Sequence, residues 1–380
     1  MSFFRSAADH LKNFSGYRSN RHIVVFLVDD YGNVRLDSAG ARSKMAAVGL
    51  NVTSRFDTFD SLETREDLEI LFETLSSVRD AHGHHAVFTP FAVTRNIDFE
   101  RMADEGYEVG HFETLPVTFG KLEIIQPAAY EGAWRIWQEG MEKGLLSPQF
   151  HGREHLNLKI FNEKLVAKDP SLLVSLKNRS FAGISGTKYS TISYTAAFDF
   201  WDFSETREFA TIISEGLNDF RQIFGRNAVH FNAPGASCHH VVNQWLKTEG
   251  VRYLDTPWIN REHQGKGKYK RSLNSTGHRT PEGLIRMIRN VVFEPGDGSG
   301  RDWVSFTMRQ IDAAFRMRKP AIISSHRVNF CGHIDPANRV NGIGSLRSLL
   351  KAIVKRYPDV EFLSSAELGA LIENQALQQV

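Results

Sequence analysis

The chain has 380 residues, 46 Lys and Arg against 44 Asp and Glu, and 41% apolar side chains. Charges this close to balance leave nothing global to recruit nucleic acid or an anionic membrane surface, and no run of 18 apolar residues offers a membrane span. Two cysteines, Cys238 and Cys331, are too few for a disulfide framework and suit a reducing compartment.

Met1–His10 lacks the apolar core of a signal peptide, so the expected location is cytoplasmic. The length fits two average domains or one large α/β barrel.

The first element is the clearest. Ile23-Val24-Val25-Phe26-Leu27-Val28 is a short apolar run rich in β-branched residues, which predicts a strand buried on both faces as parallel sheets require. It runs directly into Asp29 and Asp30. In α/β sheets and barrels the C-terminal ends of strands carry the chemistry, so two acids there are candidates for a metal ligand and a proton carrier.

Leu62 to Asp80 has the apolar spacing of one helical face, and His84–Pro90 reads as a second buried strand. A weaker strand at Tyr107–Phe112 and a helix from Ala133 to Leu145 follow, and Gln149-Phe150-His151 reads as the tip of another strand. Trp134 and Trp137, three apart in that helix, are expected to pack inward.

The second half continues the alternation. Helices are expected at about Arg207–Phe224, Val241–Glu249, Val304–Met317 and Leu346–Arg356, with a closing helix from Ala366. Strands are expected at Ala228–Phe231, Val251–Leu254, Asn290–Phe293, Ala321–Ser324 and Val360–Phe362. This order predicts a single parallel α/β barrel domain over residues 1–380, with an insertion between about 33 and 148 and a long loop at about 259–288. Within that loop, Arg261 to Arg279 is rich in Gly, Lys, Ser and Asn and has no apolar period. The dense aromatics of Phe198–Phe203 could stack on sugars but more simply form core.

The candidate chemistry gathers at strand ends. His151-Gly152-Arg153-Glu154-His155 spaces two imidazoles at i and i+4, which on a helical turn puts both on one face. Asn232-Ala233-Pro234-Gly235-Ala236-Ser237 turns sharply after a strand and can offer backbone N–H groups to an oxyanion. Asp255 with Trp258, and His326 after Ser324-Ser325, complete the set.

A parallel barrel brings all five ends to one rim. Asp30, His151 and His155 would then form a three-ligand site with an open position for water, whose pKa the metal lowers to about 7. His239-His240 and His82, His84 and His85 form no complete ligand set and are expected to be structural or exposed.

The order Asp-Asp, His-x-x-x-His, Pro-Gly turn, Asp with Trp, then a late His resembles the polysaccharide deacetylase (NodB-like, carbohydrate esterase family 4) superfamily, in its less typical members. The resemblance implies a distorted (β/α)7 barrel of the glycoside hydrolase/deacetylase type and metal-assisted hydrolysis of an N- or O-acetyl group on a carbohydrate. By position it implies Asp29 as catalytic base, Asp30, His151 and His155 as ligands to a divalent metal, Zn2+ first among them, and His326 as general acid. Gly235 falls at the oxyanion-binding N–H. Asp255 and Trp258 correspond to the motif that flanks the substrate.

Two residues depart from the pattern. Asn232 stands where the family has an Arg that fixes the base, and an amide cannot make a bidentate ion pair with a carboxylate. Arg153 or Arg327 is the candidate to take over that role. Ser324 replaces the usual Leu of the last motif. The spacing from Asp30 to His151 is also longer than the family norm.

These departures support a second reading, a carbohydrate-binding or assembly protein on the same fold without turnover. A third is a glycosidase working through paired carboxylates with no metal. Lys266, Lys268, Lys270 and Arg271 could grip an anionic glycan. The sequence leaves the sugar and the oligomeric state open.

Overall fold

The computed structural model describes residues 10–236 and 238–377; the signal-peptide reading of the first nine residues, and Ser237 of the Pro-Gly turn, lie outside them. The sheet is built from β1 (Ile23–Tyr31), β2 (Phe88–Ala92), β3 (Gln149–Phe150), β4 (His230–Phe231), β5 (Tyr253–Asp255), β6 (Ile285–Met287), β7 (Val291–Val292), β8 (Ala321–His326) and β9 (Glu361–Phe362).

Hydrogen-bonded neighbours run β6-β5-β4-β3-β2-β1-β8-β7, every pair parallel, with β9 on the first residues of β1. The two ends of this path, β6 and β7, are separated by only three residues of chain. One passage therefore pairs through its first half with β5 and through its second half with β8. That gives a curled parallel barrel of seven passages, the expected (β/α)7 architecture, with its distortion located at residues 288–290.

Asn290 bridges the break. Its Oδ1 accepts from Ile322 N at 2.8 Å and its Nδ2 donates to Pro320 O at 2.9 Å, so a side-chain amide continues the ladder along β8.

β1 explains the layering. All nine of its residues are buried. Val24, Phe26 and Val28 belong to the main core formed with the surrounding helices. Ile23, Val25 and Leu27 pack with Phe91, Tyr253, Ile285, Met287 and Ile322, which fill the barrel. Leu368 and Ile372 of the helix Ser365–Leu377 join that inner cluster. The period-two alternation of a strand thus assigns one face to the helices and one to the interior.

Several expected elements shift. His82 and His84 form a turn around Asp80, whose Oδ1 accepts from both backbone N–H groups, so the second strand starts at Phe88 rather than His84. The weak strand moves to Phe112–Thr114 and pairs antiparallel with Arg95–Ile97 outside the barrel. The stretch 33–148 supplies β2, so it is not wholly an insertion.

The expected loop at 261–279 contains an antiparallel hairpin, Ile259–His263 against Tyr269–Leu273. It stands on the surface with the second strand exposed throughout, which is why no apolar period marks it. Trp137 and Trp134 pack inward as expected, and Phe198 and Phe200 are buried core. Among the described residues no helix is long and apolar enough to cross a membrane.

Candidate metal centre

Period two sends Asp29 to the same face as Val25 and Leu27, toward the barrel interior, and would send Asp30 the other way. The strand prevents this. The register between β1 and β2 slips between Val28 and Tyr31, and Asp30 has φ +73, a left-handed conformation that Asp tolerates better than most residues. Both carboxylates consequently line one pocket of about 320 Å³. Backbone strain at a site of this kind is a recurrent mark of function.

His151 and His155 reach the same point. The segment between them is irregular chain rather than the expected helical turn, since Gly152 takes φ +109 and the next helix starts only at Leu158. His151 Nδ1 donates to the carbonyl of Asn232 at 2.9 Å, which fixes the tautomer and leaves Nε2 with a free lone pair.

Nε2 of His151 lies 3.4 Å and Nε2 of His155 3.0 Å from the same Asp30 oxygen. One atom from each of the three residues falls within 4.8 Å of the others, the convergence a single cation needs. Burial works to raise the Asp30 carboxyl, but the two imidazoles hold it well below the usual carboxylate range. His155 Nδ1 is buried with no hydrogen-bond partner.

Asp29 is fixed from two sides. Asn232 Nδ2 donates to its Oδ1 at 2.9 Å. Arg289, in the break between β6 and β7, forks onto both of its oxygens at 2.7 Å each, and donates through Nε to Asp255 at 2.5 Å and through Nη1 to Ser324 Oγ at 3.3 Å. Burial would raise Asp29, yet the guanidinium lowers it below its ordinary value. Asp255, buried and sharing the same Arg with Asp29, is pushed up to about 6.

Arg289 therefore makes the bidentate contact to Asp29 for which Arg153 or Arg327 was expected. Arg153 is held by Glu154 and Glu215. Arg327 is 1% exposed and bound to Asp60 and Glu63, away from the pocket.

On the opposite wall His326 Nδ1 donates to Glu294 Oε1 at 2.6 Å, and its Nε2 lies 3.7 Å from Asp29. Burial opposes its charged form, but Glu294 and then the two aspartates outweigh this and push it up to about 9. Glu294 is itself held by Arg55 at 2.7 Å and Asn329 at 2.8 Å. Phe56 meets the His326 ring edge-on at 5.4 Å and closes the pocket on that side.

The pocket thus gathers Asp29, Asp30, His151, His155, Asn232, Gly235 and His326. Gly235 has φ +79, and a Cβ there would lie 2.9 Å from Ala196 Cβ, so the turn needs glycine. Asp255 lies behind Arg289 and faces a neighbouring cleft. Trp258 is not among the residues lining either space; Pro257 intervenes and the hairpin begins at the next residue.

Sequence reasoning missed Arg289 and Glu294. Glu294 closes the apolar run Val291–Phe293 and was findable by the strand-end rule that found Asp29 and Asp255. Arg289 precedes that run and carries no such signal.

No family model and no curated protein matches the sequence. Solved structures similar to the chain include two deacetylases, both named as putative. One is a polysaccharide deacetylase from Mycobacterium smegmatis, at 11% identity and TM-score 0.44 over 95% of this chain and 94% of that one. The other is a glycoside hydrolase/deacetylase from Parabacteroides distasonis, at 10% identity and TM-score 0.48 over 95% and 73%. A 4-alpha-glucanotransferase from Thermococcus litoralis is also similar, at 10% identity and TM-score 0.44 over 91% of this chain, which spans 40% of its length.

Proposed function

We propose that this chain is a metal-dependent hydrolase that removes an N- or O-acetyl group from a carbohydrate. The observation that carries the reading is the convergence of Asp30, His151 and His155 beside an Arg-held Asp29 and opposite a Glu-held His326. Two imidazoles and one carboxylate suit Zn2+ or a similar divalent ion, which would supply Lewis acidity at the acyl oxygen.

The chain's own residues do the rest. Asp29, fixed by Arg289 and Asn232, takes the proton of the attacking water as its oxygen bonds to the acetyl carbon. The Gly235 N–H is assigned to the developing oxyanion. His326, kept protonated by Glu294, gives its proton to the amine or alcohol as the C–N or C–O bond breaks and acetate leaves.

The departures that favoured a site without turnover lose their force. Arg289 restores the bidentate partner that Asn232 cannot supply, and Ser324, in place of Leu, accepts a hydrogen bond from that same Arg.

Metal analysis of the purified protein and of His151→Ala, with acetate release from a panel of acetylated sugars, tests the reading. We expect about one divalent ion per chain and its loss together with activity in the variant. Metal-free native protein, or a variant as active as native, would sink the site; chelator-resistant cleavage of the glycosidic bond with no acetate released would point to the metal-free glycosidase instead.

A further inference from the structure

A second, smaller space of about 70 Å³ lies on the far side of Asn232 and Ala233 from the metal pocket. The surface hairpin forms its outer wall with Asn260 and Ser272, which face each other across the two strands. Asn243 and Thr256 line it further in.

The carboxylates lining this cleft are already committed, and Arg286, which also lines it, donates through Nη1 to the Arg279 carbonyl at 3.0 Å. Asp255 is bound by Arg289, and Glu262 is engaged by the His240 ring at 3.1 Å and by Gln264 at 2.7 Å. His239 and His240 with Glu262 resemble a second cation site. That reading fails, because Val241 N–H donates to His239 Nδ1 and so places the ring proton on Nε2, the atom that would have to bind the metal.

The buried atoms that line it without a partner are neutral. Asn243 is 3% exposed and its Nδ2 donates to Glu282, but its Oδ1 has no partner, and neither does the buried Thr256 Oγ1. Buried polar atoms are normally satisfied, and orphans lining a cleft call for a ligand or ordered water. Amides and hydroxyls with no net charge are complementary to a neutral polyol.

We propose that this cleft is a second subsite, one that takes the hydroxyl-bearing edge of the sugar unit next to the acetylated one. Its volume admits several waters, or a hydroxymethyl arm and a ring hydroxyl, but not a whole pyranose. Asn232 is the shared wall: its side chain holds Asp29 and its carbonyl holds His151. A substrate spanning both spaces is thereby registered against the base and a metal ligand at once. The placement of the acetyl group rests on the deacetylase reading; the affinity for a polyol does not.

The test uses Asn260→Ala with Ser272→Ala, and separately Ser272→Phe, all on the hairpin outside the barrel. 4-Nitrophenyl acetate needs only the metal pocket, whereas acetylated xylotetraose and chitotetraose reach the cleft. We expect hydrolysis of the small ester to stay within about twofold of native and kcat/KM for the tetrasaccharides to fall about tenfold through KM, as for loss of one or two hydrogen bonds. Equal effects on both substrate classes, or none on either, would overturn the subsite.

If the native protein releases no acetate, binding of unacetylated xylotetraose and chitotetraose is read by ligand-observed NMR. Binding that is lost in both variants sustains the subsite while the deacetylase reading falls. Binding unchanged in the variants, or absent in native protein, removes the subsite.

Discussion

Two arginines in this molecule are bound alike and do different work. Arg289 forks between Asp29 and Asp255, and Arg327 forks between Asp60 and Glu63. Arg327 and its two partners are 1–2% exposed, and Glu63 also accepts from Trp137 Nε1 at 2.6 Å, so that network is sealed on every side. Arg289 differs in having a partner, Asp29, whose face opens on the metal pocket. The lesson is that a buried guanidinium between two carboxylates is not itself a sign of catalysis; access to a cavity is what separates a positioning group from a structural one.

The sharpest way to break the comparison is to remove each arginine. Arg289→Gln should lower kcat/KM by about 10²–10⁴, because the base loses its orientation and its charge partner. The acidic limb of the pH profile should also move upward, since Asp29 is held below its ordinary value chiefly by this guanidinium against burial. Bound metal, measured in the same samples, should be retained. An unshifted acidic limb would show that Arg289 does not set the base.

Arg327→Met should instead cost about 3–5 kcal/mol of stability by leaving two buried carboxylates unpaired. Chemical denaturation would read this, with activity per folded molecule unchanged. The added changes Asp60→Leu and Glu63→Gln, the second keeping an acceptor for Trp137 Nε1 and Gly32 N–H, should recover much of the loss, as replacement of a whole buried ionic set often does. A stability change under about 1 kcal/mol would mean that the network is not sealed as described.

Glu294→Gln sharpens the contrast through pH. In native protein the His326 imidazole, pushed up to about 9, keeps its proton through neutrality, and the stability it contributes is present below about pH 6.5 and lost as pH rises through about 9. Without the Glu294 charge only the two aspartates still oppose burial, so the basic limb of kcat/KM and the alkaline loss of stability should both move down from about pH 9. A basic limb that stays near pH 9 would assign it to another group.

The smallest expected effect is from Ser324→Ala. It removes one 3.3 Å hydrogen bond to Arg289 and should cost about 0.5–1.5 kcal/mol in activation free energy, a few-fold in rate. No change in rate would make Ser324 a mere spacer.

How much of this was legible can be judged residue by residue. Asp29 and Asp30 stood out because a doubly buried strand has an apolar signature that ends abruptly at the rim. His151 and His155 stood out by spacing, although the reason offered, one face of a helical turn, was the wrong local structure: Gly152 turns the chain instead. Asp255 and His326 followed from the same strand-end logic. Trp258 and Arg153 did not, because a hairpin begins at Ile259 and Arg153 is held by the buried Glu154 and by Glu215. The hairpin itself was read as loop, since its second strand is exposed on both faces and the inward positions of its first are the polar Asn260, Glu262 and His263, which leaves no apolar alternation to detect.

The sequence by itself determined the run of buried strands, the acids and imidazoles at their ends, and so the fold class and the makeup of the candidate metal cluster, because apolar periodicity is written locally. Only the tertiary structure decided which arginine holds Asp29. The barrel closes through a chain that breaks between Met287 and Val291, and the residue left in that break, Arg289, is set by which strands it must pair with on either side. No local pattern encodes a contact between residues 29 and 289, and long-range pairing is a property of the closed sheet alone.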